Sequence, residues 1–247
     1  MTISSIDESQ RKAARVVGFS YLFAMAVGVF AEFYVRAHLI VYDNVAETTR
    51  NVMAHERLFR LSIGSDLIMI VTDVVLLTAL YVVLKPVNRN LALLAAFWRL
   101  VENSTLVAMT LNSLDALRVL SGADYLRVFE ADRLQALARL SIGAHDTGYM
   151  VGMIFFGLGS TVFSYLWFKS RYIPRALAAL GVFGSLLVAA WTFTYVIFPH
   201  FANMLAPAIY VPIFVFEVTM GFWLLLKGLR SSGIAEPARH RAQAGAA

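Results

Sequence analysis

The 247 residues include no cysteine, which excludes disulfides, thiolate metal sites and cysteine nucleophiles. Charge is scarce as well. Only 15% of residues are Asp, Glu, Lys or Arg, against about 25% in an ordinary soluble domain. The chain carries no G-x-S-x-G, H-E-x-x-H, P-loop or dinucleotide fingerprint, so the familiar hydrolase, zinc-protease and nucleotide-binding signatures are missing. Its long apolar runs lack period-2 alternation, which argues against a membrane barrel. No internal repeat is visible, which weakens an inverted-repeat transporter reading. The polar N-terminal stretch is not followed by an A-x-A cleavage site after the first apolar block, so that block reads as a retained span rather than a signal peptide.

What is present is apolar. Hydrophobic residues make up 59% of the chain, and the mean hydropathy is +0.68. Six segments, at 15–38, 59–84, 90–118, 134–168, 173–198 and 204–229, are each long enough to cross about 30 Å of hydrocarbon as a helix of roughly 20 residues. The fold class is therefore all-α, a polytopic bundle of six transmembrane helices with short amphipathic helices in the outer loops. Residues 1–14 read as a cytoplasmic N-terminal segment, 15–230 as the membrane domain and 231–247 as a disordered cytoplasmic tail.

The formal charge of +5 does not describe a nucleic-acid surface, because the basic residues sit at the ends of apolar segments. Twelve of them fall on one side if six helices cross: Arg11, Lys12, Arg15, Lys85, Arg89, Lys169, Arg171, Arg175, Lys227, Arg230, Arg239 and Arg241. The opposite connections interleave their Arg residues with Asp and Glu. Both termini are accordingly expected in the cytoplasm of a prokaryotic cell, with the lipid bilayer of the plasma membrane as the main partner.

Tight inner turns are expected at the prolines of "KPVNRN" and "KSRYIPR". The first outer connection has Asp43 or Asn44 as a cap and apolar positions at Val45, Val52 and Met53, which predicts a short surface helix. "SGADYLRVFEADRL" reads the same way, with Tyr125 and Phe129 as interfacial anchors. Pro207 and Pro212 predict a bent sixth helix. Gly148 and Gly152 make a small-xxx-small pattern, as do Gly181, Ser185 and Ala189. These patterns predict close helix packing, with a homo-oligomer through Gly148 and Gly152 as the other use.

Function is sought among the acids. Glu32, Asp66, Asp73, Glu102, Asp146 and Glu217 all lie within the apolar segments. A buried acid costs about 2.5–3.5 kcal/mol even on the lenient insertion scale, so each is expected to face the bundle interior. Local arginines supply part of the balance: Arg36 for Glu32, Arg60 for Asp66 and Arg99 for Glu102. Three arginines do not neutralise six carboxylates, so a proton or cation is needed to complete the set. Asp73, Glu102 and Glu217 come out at similar depths and are expected to face one another around Arg99. Together with Asp66, His145 and Asp146 they outline a polar cavity opening outward. The reading is binding or translocation of a small solute, proton or cation. The alternatives are a metal-dependent intramembrane enzyme and a sensor or accessory subunit without catalysis; no catalytic residue is assigned. His38, His145 and His200, near the outer helix ends, are the weak candidates for a zinc site. Lys85 and Lys169 lie at the interface and suit snorkelling rather than a Schiff base.

Several blocks bear a family likeness: "AEFYVR", "LFRLSIGSDLIMIVTDVVLLTALYVVLKPVN", "LALLAAFWRL", "LSGADYLRVFEADRLQALARL" and "GMIFFGLG". The chain resembles the bacterial domain-of-unknown-function family 4386 (DUF4386) over about residues 11–230. The resemblance implies a multi-pass membrane protein of a bacterium or archaeon. It brings no activity, and so no functional residue.

Overall fold

The computed structural model describes residues 6–198 and 206–230. Every regular element among them is a helix. Five are long and apolar enough to cross a membrane: α1 (Glu8–Leu39), α3 (Glu56–Leu84), α4 (Arg89–Val119), α5 (Ala131–Ser170) and α6 (Arg175–Ile197). A short helix α2 (Val45–Ala54) links α1 to α3, and an apolar helix α7 (Val211–Leu226) follows α6.

The caps explain most boundaries. Asp7 and Gln10 form a reciprocal capping box, which lets α1 begin at Glu8, well before its apolar stretch. Asn44 accepts from the Glu47 amide at 3.0 Å and starts α2. Asn88 accepts from the Leu91 amide at 3.0 Å and starts α4 directly after the "KPV" turn. Pro174 occupies the cap of α6, where a missing N–H costs nothing.

Two expectations about shape need correction. The second outer connection is not a surface helix: it holds a single 3₁₀ turn, Asp124–Leu126, and α5 begins at Ala131. The sixth segment is not one bent helix but a broken one. A four-residue turn, Ala206–Ile209, stops at Tyr210, and α7 restarts with Pro212 in its first turn. Pro212 has no N–H to continue the ladder, and Tyr210 packs edge-on against Trp191 of α6 at 5.7 Å. At 1.5 Å per residue α7 reaches only about 24 Å. The expected tail, 231–247, lies outside the described residues.

The helices close into a ring. α3 packs on α1 and α4, α4 on α5, α5 on α6, α6 on α7, and α7 returns to α1. Glycines permit the closest approaches. A Cβ at Gly18 would come within 2.8 Å of the Gly221 carbonyl, where α7 meets α1. At Gly157 it would come within 2.8 Å of the Ala189 amide and the Ser185 carbonyl, where α5 meets α6. Gly148 and Gly152 face Met109 and Leu106 of α4 in the same chain, and Gly181 faces Phe216 and Ser164. Both small-residue patterns thus serve packing inside the ring.

The sides of the helices are inverted relative to a soluble bundle. On α3, Leu67, Ile68, Val71 and Val75 face outward, while Ser62, Asp66, Ile70 and Asp73 are buried. α4 does the same, with Phe97, Leu100, Val101 and Val107 outside and Arg99, Glu102, Asn103 and Thr110 inside. An apolar jacket around a polar axis is what a bilayer selects. α5, with 40 residues, would be about 60 Å long, twice the hydrocarbon thickness. α2 packs against it and against α3.

Candidate functional site

The buried polar side chains form two groups at different heights. The outer group joins α1, α3 and α5. Arg36 forks onto Asp66: Nη2 pairs with Oδ2, and Nη1 donates to Oδ1 at 3.2 Å. Arg36 also reaches Glu32 on its own helix at 3.4 Å. From α5, His145 sets Nε2 3.7 Å from Asp66 Oδ2 and Nδ1 3.4 Å from Asp146 Oδ1. The first distance is too long for a hydrogen bond, and Nε2 is buried without a hydrogen-bond partner.

Arg36 owes its position to a wide turn. Residues Phe30–Arg36 are wound as a π-helix, with the Ala37 amide bonded back to the Glu32 carbonyl. Such turns change the phase of a helix and recur at functional sites. Here Arg36 is buried while the Glu32 side chain is 54% exposed. The expectation that Glu32 faces the interior is therefore corrected. So is the pairing of Asp66 with Arg60, which lies exposed and binds Glu56 at 2.7 Å. Above the group, burial pushes the Tyr42 hydroxyl above its ordinary pKa, and Asp146 and Glu32 add to the effect. Arg139 lies over the Tyr42 ring at 5.3 Å.

The inner group centres on Arg99. Its Nη1 donates to Glu102 Oε1 at 3.2 Å, and its Nη2 lies 3.5 Å from Asp73 Oδ2. Phe156 of α5 lies under the guanidinium at 4.6 Å, a cation–π contact that holds the charge over the ring face. Gly159 makes room for the arginine stem, since a Cβ there would stand 2.8 Å from Arg99 Cγ. Glu217 of α7 is half-buried and lies within electrostatic reach of Arg99 and Asp73. It makes no ion pair or hydrogen bond among the described residues. Tyr21 of α1, buried, is within the same reach of all four groups.

Two acceptors in this group have no donor. Asn103 gives its amide N–H to the Arg99 carbonyl at 2.9 Å, which leaves its Oδ1 buried and unpartnered. Glu102 Oε2 is 2.9 Å from Arg99 Nη1, an ion-pair contact, while the hydrogen bond from Nη1 goes to Oε1 and leaves Oε2 without one. Buried acceptors of this kind cost about 1–3 kcal/mol each when empty.

The two groups are separate. Ile70, Leu106 and Met109 form a buried apolar cluster, with Met69 and Tyr149 packed on it. Ile70 lies between Asp66 and Asp73 on α3. The side chains expected to line one polar cavity thus fall into two groups, around Arg36 and around Arg99, with Ile70 between them along α3. An open groove of about 720 Å³ runs between Val45 and the α5 face from Ala136 to Thr147 and is lined mostly by apolar atoms. None of the candidate acids lines it.

Of the three candidate histidines, His38 and His145 lie among the described residues. His38 is exposed and its ring lies tilted beside that of Tyr34 at 5.9 Å, His145 is buried against Asp66, and His200 lies outside the described residues. Among the described residues no three His, Asp or Glu side chains are grouped to hold a metal ion.

The family model described as "Domain of unknown function (DUF4386)" matches residues 16–228. The chain belongs to this family. The DUF4386 chain is also 27% identical over 176 residues to an uncharacterised protein of Archaeoglobus fulgidus, covering 70% of the chain and 87% of that protein. No solved structure matches it. The DUF4386 chain is a membrane protein, its apolar helices built around a charged axis. What reasoning along the sequence missed in it are Phe156, Gly159 and Tyr21. The first two fall in the block "GMIFFGLG", where their spacing marks them as neighbours on one face of α5.

Proposed function

We propose that this DUF4386 protein takes up a proton at the inner station and passes it, or a small solute coupled to it, across the membrane. The observation that carries the reading is the imbalance around Arg99. One guanidinium faces Asp73 and Glu102 directly and Glu217 within electrostatic reach, and two buried acceptor oxygens beside it lack a donor. Charge in a low-dielectric interior must be matched closely, and a proton on the acid set supplies both the missing charge and a donor. Intramembrane acids facing a bundle interior commonly serve this use.

Infrared spectra at neutral pH should then contain the C=O stretch of a buried protonated carboxyl. The band should disappear in Glu217→Gln or Asp73→Asn. A wild-type spectrum without it, or a band indifferent to both substitutions, would end the reading.

The proposal includes a topology. α7, short as it is, completes a sixth crossing, and both termini lie in the cytoplasm of a prokaryotic plasma membrane. The absence of cysteine makes this direct to measure. A cysteine introduced at the exposed Asp124 should react with an impermeant maleimide in intact cells, and one at Asn90 should react only after lysis. The opposite pattern would invert the topology.

A further inference from the structure

We propose that Asp146, His145 and Asp66 form a proton intake on the outer side, and that Ile70, Leu106 and Met109 are a dry gate between this intake and the Arg99 station. The inference rests on the proton-binding reading of that station and names how the proton arrives.

The geometry runs from surface to interior. The Asp146 side chain is 36% exposed, while those of His145 and Asp66 are 7% and 4% exposed. His145 holds one ring nitrogen toward each acid, at 3.4 Å and 3.7 Å. Its Nε2 is buried, unpartnered and aimed at Asp66. A structural histidine would be expected to bond both nitrogens. This one is left a fraction of an ångström short on the inward side, the arrangement of a group that bonds its acceptor only part of the time.

The charged groups facing His145 are Asp66 and Arg36, from α3 and α1, and Asp146 on its own helix. Arg36 forks onto Asp66, which fixes the acid that receives the proton. The transfer balances without any other reactant. Neutral His145, with its proton on Nε2, accepts a proton at Nδ1 from the Asp146 carboxyl, which becomes a carboxylate. The imidazolium then releases the Nε2 proton to Asp66 Oδ2 and is left neutral with its proton on Nδ1. A tautomer exchange with water, Nδ1 giving up its proton while Nε2 takes one up, resets the ring, and Asp146 is reprotonated from water. The net result is one proton moved from the surface to Asp66.

From Asp66 to Asp73 the chain advances seven residues, about 10 Å along α3. Ile70, Leu106 and Met109 pack together in the layer between them, with Met69 and Tyr149 against them. Apolar constrictions of this kind block charge until they wet. Gly148 and Gly152 bring α5 hard against Met109 and Leu106, so the gate can widen only if α4 and α5 separate.

The test follows the infrared carboxyl band of the reconstituted protein after a switch from H₂O to D₂O, which lowers its frequency as the proton exchanges. His145→Gln should slow the exchange about a hundredfold, the usual worth of a positioned proton-transfer group. Asp146→Asn, at a half-exposed position with little to lose in folding, should slow it too. Imidazole in the buffer should restore the rate in His145→Ala, which a merely structural histidine would not allow. Met109→Ala, which leaves every acid in place, should speed exchange. A band that exchanges at the wild-type rate in both His145→Gln and Asp146→Asn overturns the intake while leaving the inner station standing. A wild-type protein without the band overturns both.

Discussion

Replacing Arg99 with glutamine is expected to cost about 3–5 kcal/mol of stability, the usual penalty for removing one partner of a buried ion pair. Arg99 is 3% exposed, and it is the only guanidinium paired with Asp73 and Glu102 among the described residues. Without it, two buried carboxyls face each other with Glu217 nearby and no compensating charge. The loss is a large fraction of the roughly 5–15 kcal/mol that holds a typical domain together. Thermal unfolding in detergent micelles should show it as a drop in midpoint on the order of 6–20 °C. Adding Asp73→Asn and Glu102→Gln to the same chain should return most of the difference, since the charge left over is then gone. An Arg99→Gln protein that melts with the wild type would mean that the acids are already neutral without it, and that the guanidinium is not what balances them.

The second large effect belongs to Arg36. Glutamine there leaves Asp66, 3% exposed, with only His145 at 3.7 Å, and about 3–5 kcal/mol should again be lost. Asp66→Asn should cost less when combined with Arg36→Gln than when made alone, because the pair is then removed as a unit. Arg60→Gln is the control. Its partner Glu56 is exposed, and exposed pairs contribute about 0–1 kcal/mol. If Arg60→Gln proves the more damaging of the two, Asp66 is paired within α3 and the forked contact from α1 is wrong.

That contrast shows what a sequence of this kind reveals and what it withholds. The turns at Asn44, Pro86 and Pro174 were legible because they are written in local chemistry, whereas the start of α1 at Glu8 and the break before α7 were not. Burial of Asp66, Asp73, Arg99 and Glu102 was legible too, because lipid leaves polar side chains only one direction to point. Pairing across helices was not. Arg60 is the nearest arginine to Asp66 along the chain, whereas Arg36 is thirty residues away and reaches it only because α1 packs on α3. The phase of α1 was hidden as well, since a π turn at Phe30–Arg36 leaves no composition signal and shifts the frame in which Glu32 would have been judged inward. The dry layer was the hardest feature to foresee. Ile70 looks like any other apolar residue of a membrane helix until Leu106 and Met109 arrive from the next one.

The ring has a further consequence, for the order in which the protein can be made. Its closing contact joins the first long helix to the last, at Gly18 and Gly221. A chain leaving the ribosome from its N-terminus therefore inserts five long helices while the flank of α1 that holds Gly18 and Tyr21 has no neighbour. During that interval lipid must cover the flank, and the acid set lacks the member carried by the last helix. Only when residues 211–226 emerge is the wall complete and the fourth charge delivered to the axis. Completion of the buried charged set thus waits for the last helix of the ring, and a chain cut short before it lacks both the Gly18–Gly221 contact and Glu217.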